Sequence, residues 1–153
     1  MPPEVTLRPL REDEYPAWDT EHRREYARGL VEHAGLTPKE AEAKVARDIS
    51  AALPDGLATP DVYVWAVEDE GRKVGTVFFG IRSGEAWLYE ITIDAGARGR
   101  GYGRAAMLAL EEEARALGHD RLALNVWGGN EVARGLYRSL GYAEQAVQMH
   151  KIL

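Results

Sequence analysis

The chain of 153 residues reads as a single domain, 1–153, long enough to bury a core of its own. Its 45% hydrophobic and 29% charged residues are those of an ordinary soluble globular protein, and a formal net charge of −6 argues against a nucleic-acid-binding surface while suiting a cationic substrate such as an amine. The absence of cysteine excludes a disulfide framework, a thiolate metal site and a catalytic thiol.

The opening MPPEVTLRPLRED has no apolar targeting core, and no run is long enough to span a membrane, so the expected location is cytoplasmic. Residues 4–8 alternate and predict a short first strand, stopped by Pro9. From 12 to 33, Tyr15, Trp18, His22, Tyr26 and Leu30 recur at helical spacing, with Gly35 beyond the end. Thr37-Pro38-Lys39-Glu40 opens a second helix, with Thr37 as N-cap, Pro38 at the first helical position and Glu40 three residues after the cap. That helix runs to about Leu53 and stops at Pro54-Asp55-Gly56. Residues 61–67, 73–81 and 86–94 alternate and are joined by tight turns, giving three consecutive antiparallel strands. A helix follows over 101–117, then a strand over 121–127, a helix over 131–140 capped by Gly141, and a terminal strand over 142–153. The order β-α-α-β-β-β-α-β-α-β implies an α/β (α+β) fold with helices on both faces of a mixed sheet.

Residues 88–106, LYEITIDAGARGRGYGRAA, run from strand through a glycine-rich turn to a helix N-terminus. The first amides of a helix have no internal partner and sit at the positive end of its dipole, so they suit phosphate oxygens. The glycines admit a close approach, and Arg98, Arg100 and Arg104 add positive charge. A dinucleotide-binding turn would need glycine at Arg104 and a parallel strand pattern ahead of it, and a Walker loop would need Gly-Lys-Ser/Thr. A second motif lies downstream, Asn130-x-x-Ala133-x-x-Leu136-Tyr137-x-x-x-Gly141-Tyr142.

Arg98-x-x-Gly101-x-Gly103 resembles the acyl-CoA-binding signature of the Gcn5-related N-acetyltransferases, and the downstream motif resembles that family's second signature, in the right order. The element order is similar from end to end. The resemblance implies the acyl-CoA N-acyltransferase fold, a mixed and mostly antiparallel sheet of about six to seven strands flanked by about four helices. It implies acetyl transfer from acetyl-CoA, as co-substrate, to a primary amine by direct attack in a ternary complex. By the same resemblance Arg98, Gly99, Arg100, Gly101, Tyr102, Gly103 and Arg104 form the pyrophosphate loop. Ile91 and Ile93 line the pantetheine arm, with the amide near Ile91 facing the thioester carbonyl. Asn130 contacts the pantetheine side, and Tyr137 binds near the sulfur and protonates the departing thiolate. Glu90 is the candidate base for the incoming ammonium. Strict alternation sets it opposite Ile91 and Ile93, so it reaches the site only if a bulge re-aims it.

Each role has a plainer counterpart. Asn130 is also a helix N-cap, Tyr137 also a core side chain, Glu90 also a solvated strand carboxylate, and Asp94 a cap on its strand end. His22, His33, His119 and His150 have no ligand spacing and read as surface or structural; no metal is expected. In this fold the first two helices wall the acceptor cleft, which makes His22, Arg23 and Tyr26 candidate substrate contacts. A non-catalytic acyl-CoA-binding or sensing module is the alternative reading. The partner is a small-molecule or peptide amine, with neither nucleic acid nor membrane, and a homodimer is compatible with the pattern.

Overall fold

The computed structural model describes residues 2–153. In chain order it contains β1 (Thr6–Pro9), α1 (Tyr15–Ala34), α2 (Pro38–Ala52), β2 (Val62–Asp69), β3 (Arg72–Arg82), β4 (Glu85–Ile93), α3 (Tyr102–Ala116), β5 (Leu122–Leu124) and α4 (Glu131–Ser139). The five strands lie in sequence order, β1-β2-β3-β4-β5, antiparallel throughout except for the parallel pair β4 and β5. Among the described residues no helix is long and apolar enough to cross a membrane.

Local chemistry accounts for the helix ends. Thr37 and Glu40 form the reciprocal capping box expected from the sequence: the Glu40 amide donates to Thr37 Oγ1 at 3.2 Å, and the Thr37 amide donates to Glu40 Oε2 at 3.0 Å. Gly35 ends α1 in the left-handed region (φ 72°), where a side chain would be strained.

Side-chain alternation divides the core between the two faces of the sheet. On one face Val67, Val77, Phe79 and Leu88 pack under Met107 and Leu110 of α3 and Tyr137 of α4. On the other, Val64, Ala66 and Phe78 pack under Trp18 and Leu30 of α1 and Val45 and Ile49 of α2. One helix pair therefore covers each face.

Three sequence expectations are corrected. The sheet has five strands rather than six to seven, and residues 142–153 form no strand. Alternation marks a segment able to join a sheet, but a strand exists only with a partner to complete its ladder. Val147, Met149, Ile152 and Leu153 are accordingly exposed, at 71%, 87%, 76% and 107%. The strand expected over 121–127 is also shorter, because the chain leaves β4 after Leu124.

Candidate active site

The turn between β4 and α3 is built by glycine. A single 3-10 turn (Ala95–Ala97) follows Asp94, whose amide donates to Val74 O at 2.8 Å and whose carboxylate lies 3.3 Å from Lys73 Nζ. Gly99 (φ 77°) and Gly101 (φ 85°) then turn the chain through the left-handed region, and Gly101 caps α3. From Gly99 to Arg104 no backbone amide donates to another described residue; the first helical bond across the cap is from Ala105 to Gly101 O. The result is a run of free donors at the positive end of a 15-residue helix.

The side chains of this loop do different things. Arg98 folds back, its Nε donating to Ile93 O at 2.9 Å. Arg104 donates to Ser139 Oγ at 2.5 Å and so joins α3 to α4. Tyr102 turns inward, buried, with its hydroxyl bonded to Asp69. Gly103 faces Leu136 closely: a Cβ there would lie 3.5 Å from Leu136 Cδ2. The loop therefore offers an anion backbone donors, while Arg98, Tyr102 and Arg104 fix its shape.

Beside the loop the sheet is open. β4 pairs with β5 only at Ala86↔Leu122, Trp87↔Ala123 and Leu88↔Leu124, yet β4 continues to Ile93. Beyond Leu88 the edge of β4 that faced β5 has no partner strand among the described residues, so the two strands splay apart. Past the splay the chain runs over to α1. Trp127 stacks on His33 with centroids 5.4 Å apart, and it fits because residue 29 is glycine: a Cβ there would lie 2.6 Å from Trp127 Nε1.

A bulge sets the other half of the site. Phe78 pairs with Glu90 and Phe79 with Leu88, so Tyr89 is the extra residue on β4. In an unbroken strand Leu88 and Glu90 would share a face. Here Leu88 lies in the core under α3, whereas Glu90 emerges beneath α1. The bulge thus re-aims Glu90 relative to Leu88; Ile91 and Ile93 still pack on the α3–α4 side, opposite Glu90.

Glu90 is held at both oxygens. Oε2 lies 2.6 Å from His22 Nδ1, and Oε1 accepts from Thr92 Oγ1 at 2.9 Å. The carboxylate side chain keeps 22% of its surface exposed, whereas His22 is 6% exposed. The imidazole is stacked on Trp18 with centroids 4.8 Å apart and meets the edge of Phe78 at 5.2 Å. Its Nε2 is buried and has no hydrogen-bond partner among the described residues.

The remaining candidates divide clearly. Tyr137 is 9% exposed, in the core under α4, and burial raises its phenol above the usual range. Tyr26, Tyr102 and Tyr142 donate to Asp48, Asp69 and Glu111, but the Tyr137 hydroxyl has no partner among the described residues. Asn130 caps α4, its Oδ1 accepting from the Ala133 amide at 3.1 Å. Arg23 is paired with Asp19 at 3.0 Å. Tyr26 donates to Asp48, which also accepts from Lys44 at 2.8 Å.

Sequence reasoning passed over the bond between His22 and Glu90 and the role of Thr92. The trace was present in Trp18, His22 and Tyr26 at i, i+4 spacing on one helix face, but nothing in that spacing names a partner 68 residues away.

Comparison with known proteins agrees with the fold and the family motifs. Residues 7–142 match the model of the Acetyltransferase (GNAT) family. The chain is 30% identical to the uncharacterized N-acetyltransferase YycN of Bacillus subtilis (strain 168), over 97% of this chain and 99% of that one. It is 31% identical to YdgE of the same organism, likewise described as an uncharacterized N-acetyltransferase, over 97% and 98%. The crystal structure of YycN superposes with a TM-score of 0.92 over 97% of this chain and 98% of that chain. The aminoglycoside N-acetyltransferase AAC(6')-Iy, solved in complex with CoA, shares the fold at a TM-score of 0.63 and 14% identity, over 97% and 95%. With its motifs, its fold and a family match over nearly its whole length in agreement, the chain belongs to the GNAT family and is an acetyltransferase.

Proposed function

We propose that the protein moves an acetyl group from acetyl-CoA to a primary amine by direct attack in a ternary complex. The observation that carries this reading is the strand edge left open beyond Leu88, leading into the free amides of Gly99–Arg104. Such a row of donors suits an extended ligand with a diphosphate at one end and an amide-bearing arm at the other.

The faces of β4 divide the labour. The Gly99–Arg104 amides hold the pyrophosphate, and the open edge near Ile91 and Ile93 holds the arm and polarises the thioester carbonyl. Tyr137, on the α3–α4 side, stays protonated well above neutral pH and donates to the departing thiolate. A thiol of pKa about 8.5 leaves readily, so this proton assists the reaction more than it decides it. Glu90, on the α1–α2 side, takes the proton that an ammonium must lose before it can attack, directly or through water. Base and acid thus act from opposite faces with the open edge between them. No covalent acyl-enzyme is formed.

The acceptor enters from the α1 side. AAC(6')-Iy is an aminoglycoside acetyltransferase, and aminoglycosides belong in an acceptor panel with polyamines, amino acids and peptide N-termini. A homodimer is the proposed assembly: the exposed apolar residues of the C-terminal segment and the unpaired outer edge of β5 are surfaces a second copy would cover.

The test is thermal melting with acetyl-CoA, followed by CoA release with each amine of the panel. A ligand that binds only the folded state raises Tm. A shift with acetyl-CoA and amine-dependent thiol release support the reading. No shift at millimolar acetyl-CoA overturns it, and a shift without thiol release for any amine leaves binding without transfer.

A further inference from the structure

We propose that His22 is the positioning residue of Glu90, acting as a neutral imidazole whose Nδ1–H donates to the carboxylate. The inference rests on the reading of Glu90 as the base. His22 Nδ1 and Glu90 Oε2 lie 2.6 Å apart, a distance that calls for one proton between them, while Nε2 is buried with no partner among the described residues. An imidazolium would leave a charged N–H donor unsatisfied at Nε2; the neutral Nδ1–H form leaves only a lone pair there, among Trp18, Phe78 and Tyr26. Burial against a missing acceptor therefore selects the tautomer.

The same geometry limits what His22 can do. To relay a proton, it would have to take one at Nδ1 and release another at Nε2, or the reverse. Nε2 is sealed from solvent and has no neighbouring acceptor among the described residues, so that route is closed. Protons accepted by Glu90 leave from its own exposed side. His22 and Thr92 instead clamp the carboxylate from two directions, and the stack on Trp18 fixes the plane of the clamp. Glu90 on β4 is the charged group bonded to the ring; on α1 Asp19 and Arg23 pair with each other, Tyr26, stacked on the ring, donates to Asp48 of α2, which also accepts from Lys44, and β3 presents Phe78.

The experiment compares His22→Asn, His22→Leu, Glu90→Gln and the double variant His22→Leu/Glu90→Gln, using acetyl-CoA and the panel amine that releases CoA fastest. Asn can set its side-chain N–H near the position of Nδ1 but cannot titrate. Expected are a kcat for His22→Asn within about threefold of wild type, a loss of about tenfold for His22→Leu with the KM for acetyl-CoA unchanged, and no further loss when His22→Leu is added to Glu90→Gln. Melting curves check that each variant is folded, and the 15N spectrum of the free protein should show His22 as neutral Nδ1–H. His22→Asn as slow as His22→Leu would mean a titrating relay and overturn the proposal, as would an imidazolium or Nε2–H spectrum. A full-rate, folded His22→Leu beside a slow Glu90→Gln would overturn it and leave Glu90 as base. A full-rate Glu90→Gln would remove the base reading itself, and His22's role with it.

Discussion

The two faces of β4 are built by different means. On the α3–α4 side the site is backbone: glycines at φ 77° and 85°, free helix N-terminal amides and an unpaired strand edge. On the α1–α2 side it is side chain: a carboxylate clamped by His22 and Thr92 under an aromatic stack. A backbone site tolerates change in most side chains but not at its glycines. A side-chain site depends on a few atoms held in register by a bulge. Substitutions at the loop glycines should therefore fail in acetyl-CoA binding, and substitutions in the clamp around Glu90 in turnover.

The largest expected effect is on the side-chain face. Glu90→Gln should lower kcat by about 10²-fold, the lower end of what general-base catalysis contributes, with acetyl-CoA still raising Tm. Next is the backbone face. Gly101→Val sets a β-branched residue at φ 85°, where a non-glycine residue costs roughly 1–2 kcal/mol, and brings a Cβ to 3.3 Å from Pro3. The acetyl-CoA-induced Tm shift should shrink or vanish, and retention of the full shift would mean that the loop is not the anion site. Tyr137→Phe should cost about tenfold in kcat at unchanged acetyl-CoA affinity, since a thiolate is already a fair leaving group. A full-rate variant would return Tyr137 to the core.

Smaller effects test the frame around the two faces. Gly29→Val forces a Cβ to 2.6 Å from Trp127 Nε1 and should destabilise by about 1–3 kcal/mol through overpacking, read as a lowered Tm. The smallest concerns Arg8 and Glu14, which join β1 to the start of α1. Hydrogen bonds from the Arg8 guanidinium lower the Glu14 carboxyl from 4.5 to about 2. A carboxylate depressed in the folded state stabilises above its unfolded pKa, so the contribution is present at neutral pH and is lost as pH falls from about 4.5 towards 2. Because the pair is near the surface, the loss should be about 1 kcal/mol, and Glu14→Gln should remove that slope from denaturant melts over this range.

The backbone face was largely legible in the sequence. Left-handed turns favour glycine, so Gly99 and Gly101 mark the turn ahead of α3 directly, and Asn130 announces its own cap. The side-chain face was legible only in part. Alternation named Glu90 and raised the need for a bulge, but a bulge at Tyr89 carries no residue signature of its own. The contact with His22 joins elements far apart in sequence, and periodicity reports only one element at a time. The terminal strand over 142–153 failed for the same reason: its alternation is local, whereas the missing partner is not.

The central claim is that base and acid act from opposite faces of β4. Paired pH profiles of kcat/KM test it most directly, for wild type, Glu90→Gln and Tyr137→Phe with a single acceptor amine. A base must be unprotonated and an acid protonated, so the account predicts that Glu90→Gln flattens the low-pH limb and Tyr137→Phe only the high-pH limb. Both substitutions acting on the same limb, or neither altering the profile, would contradict it.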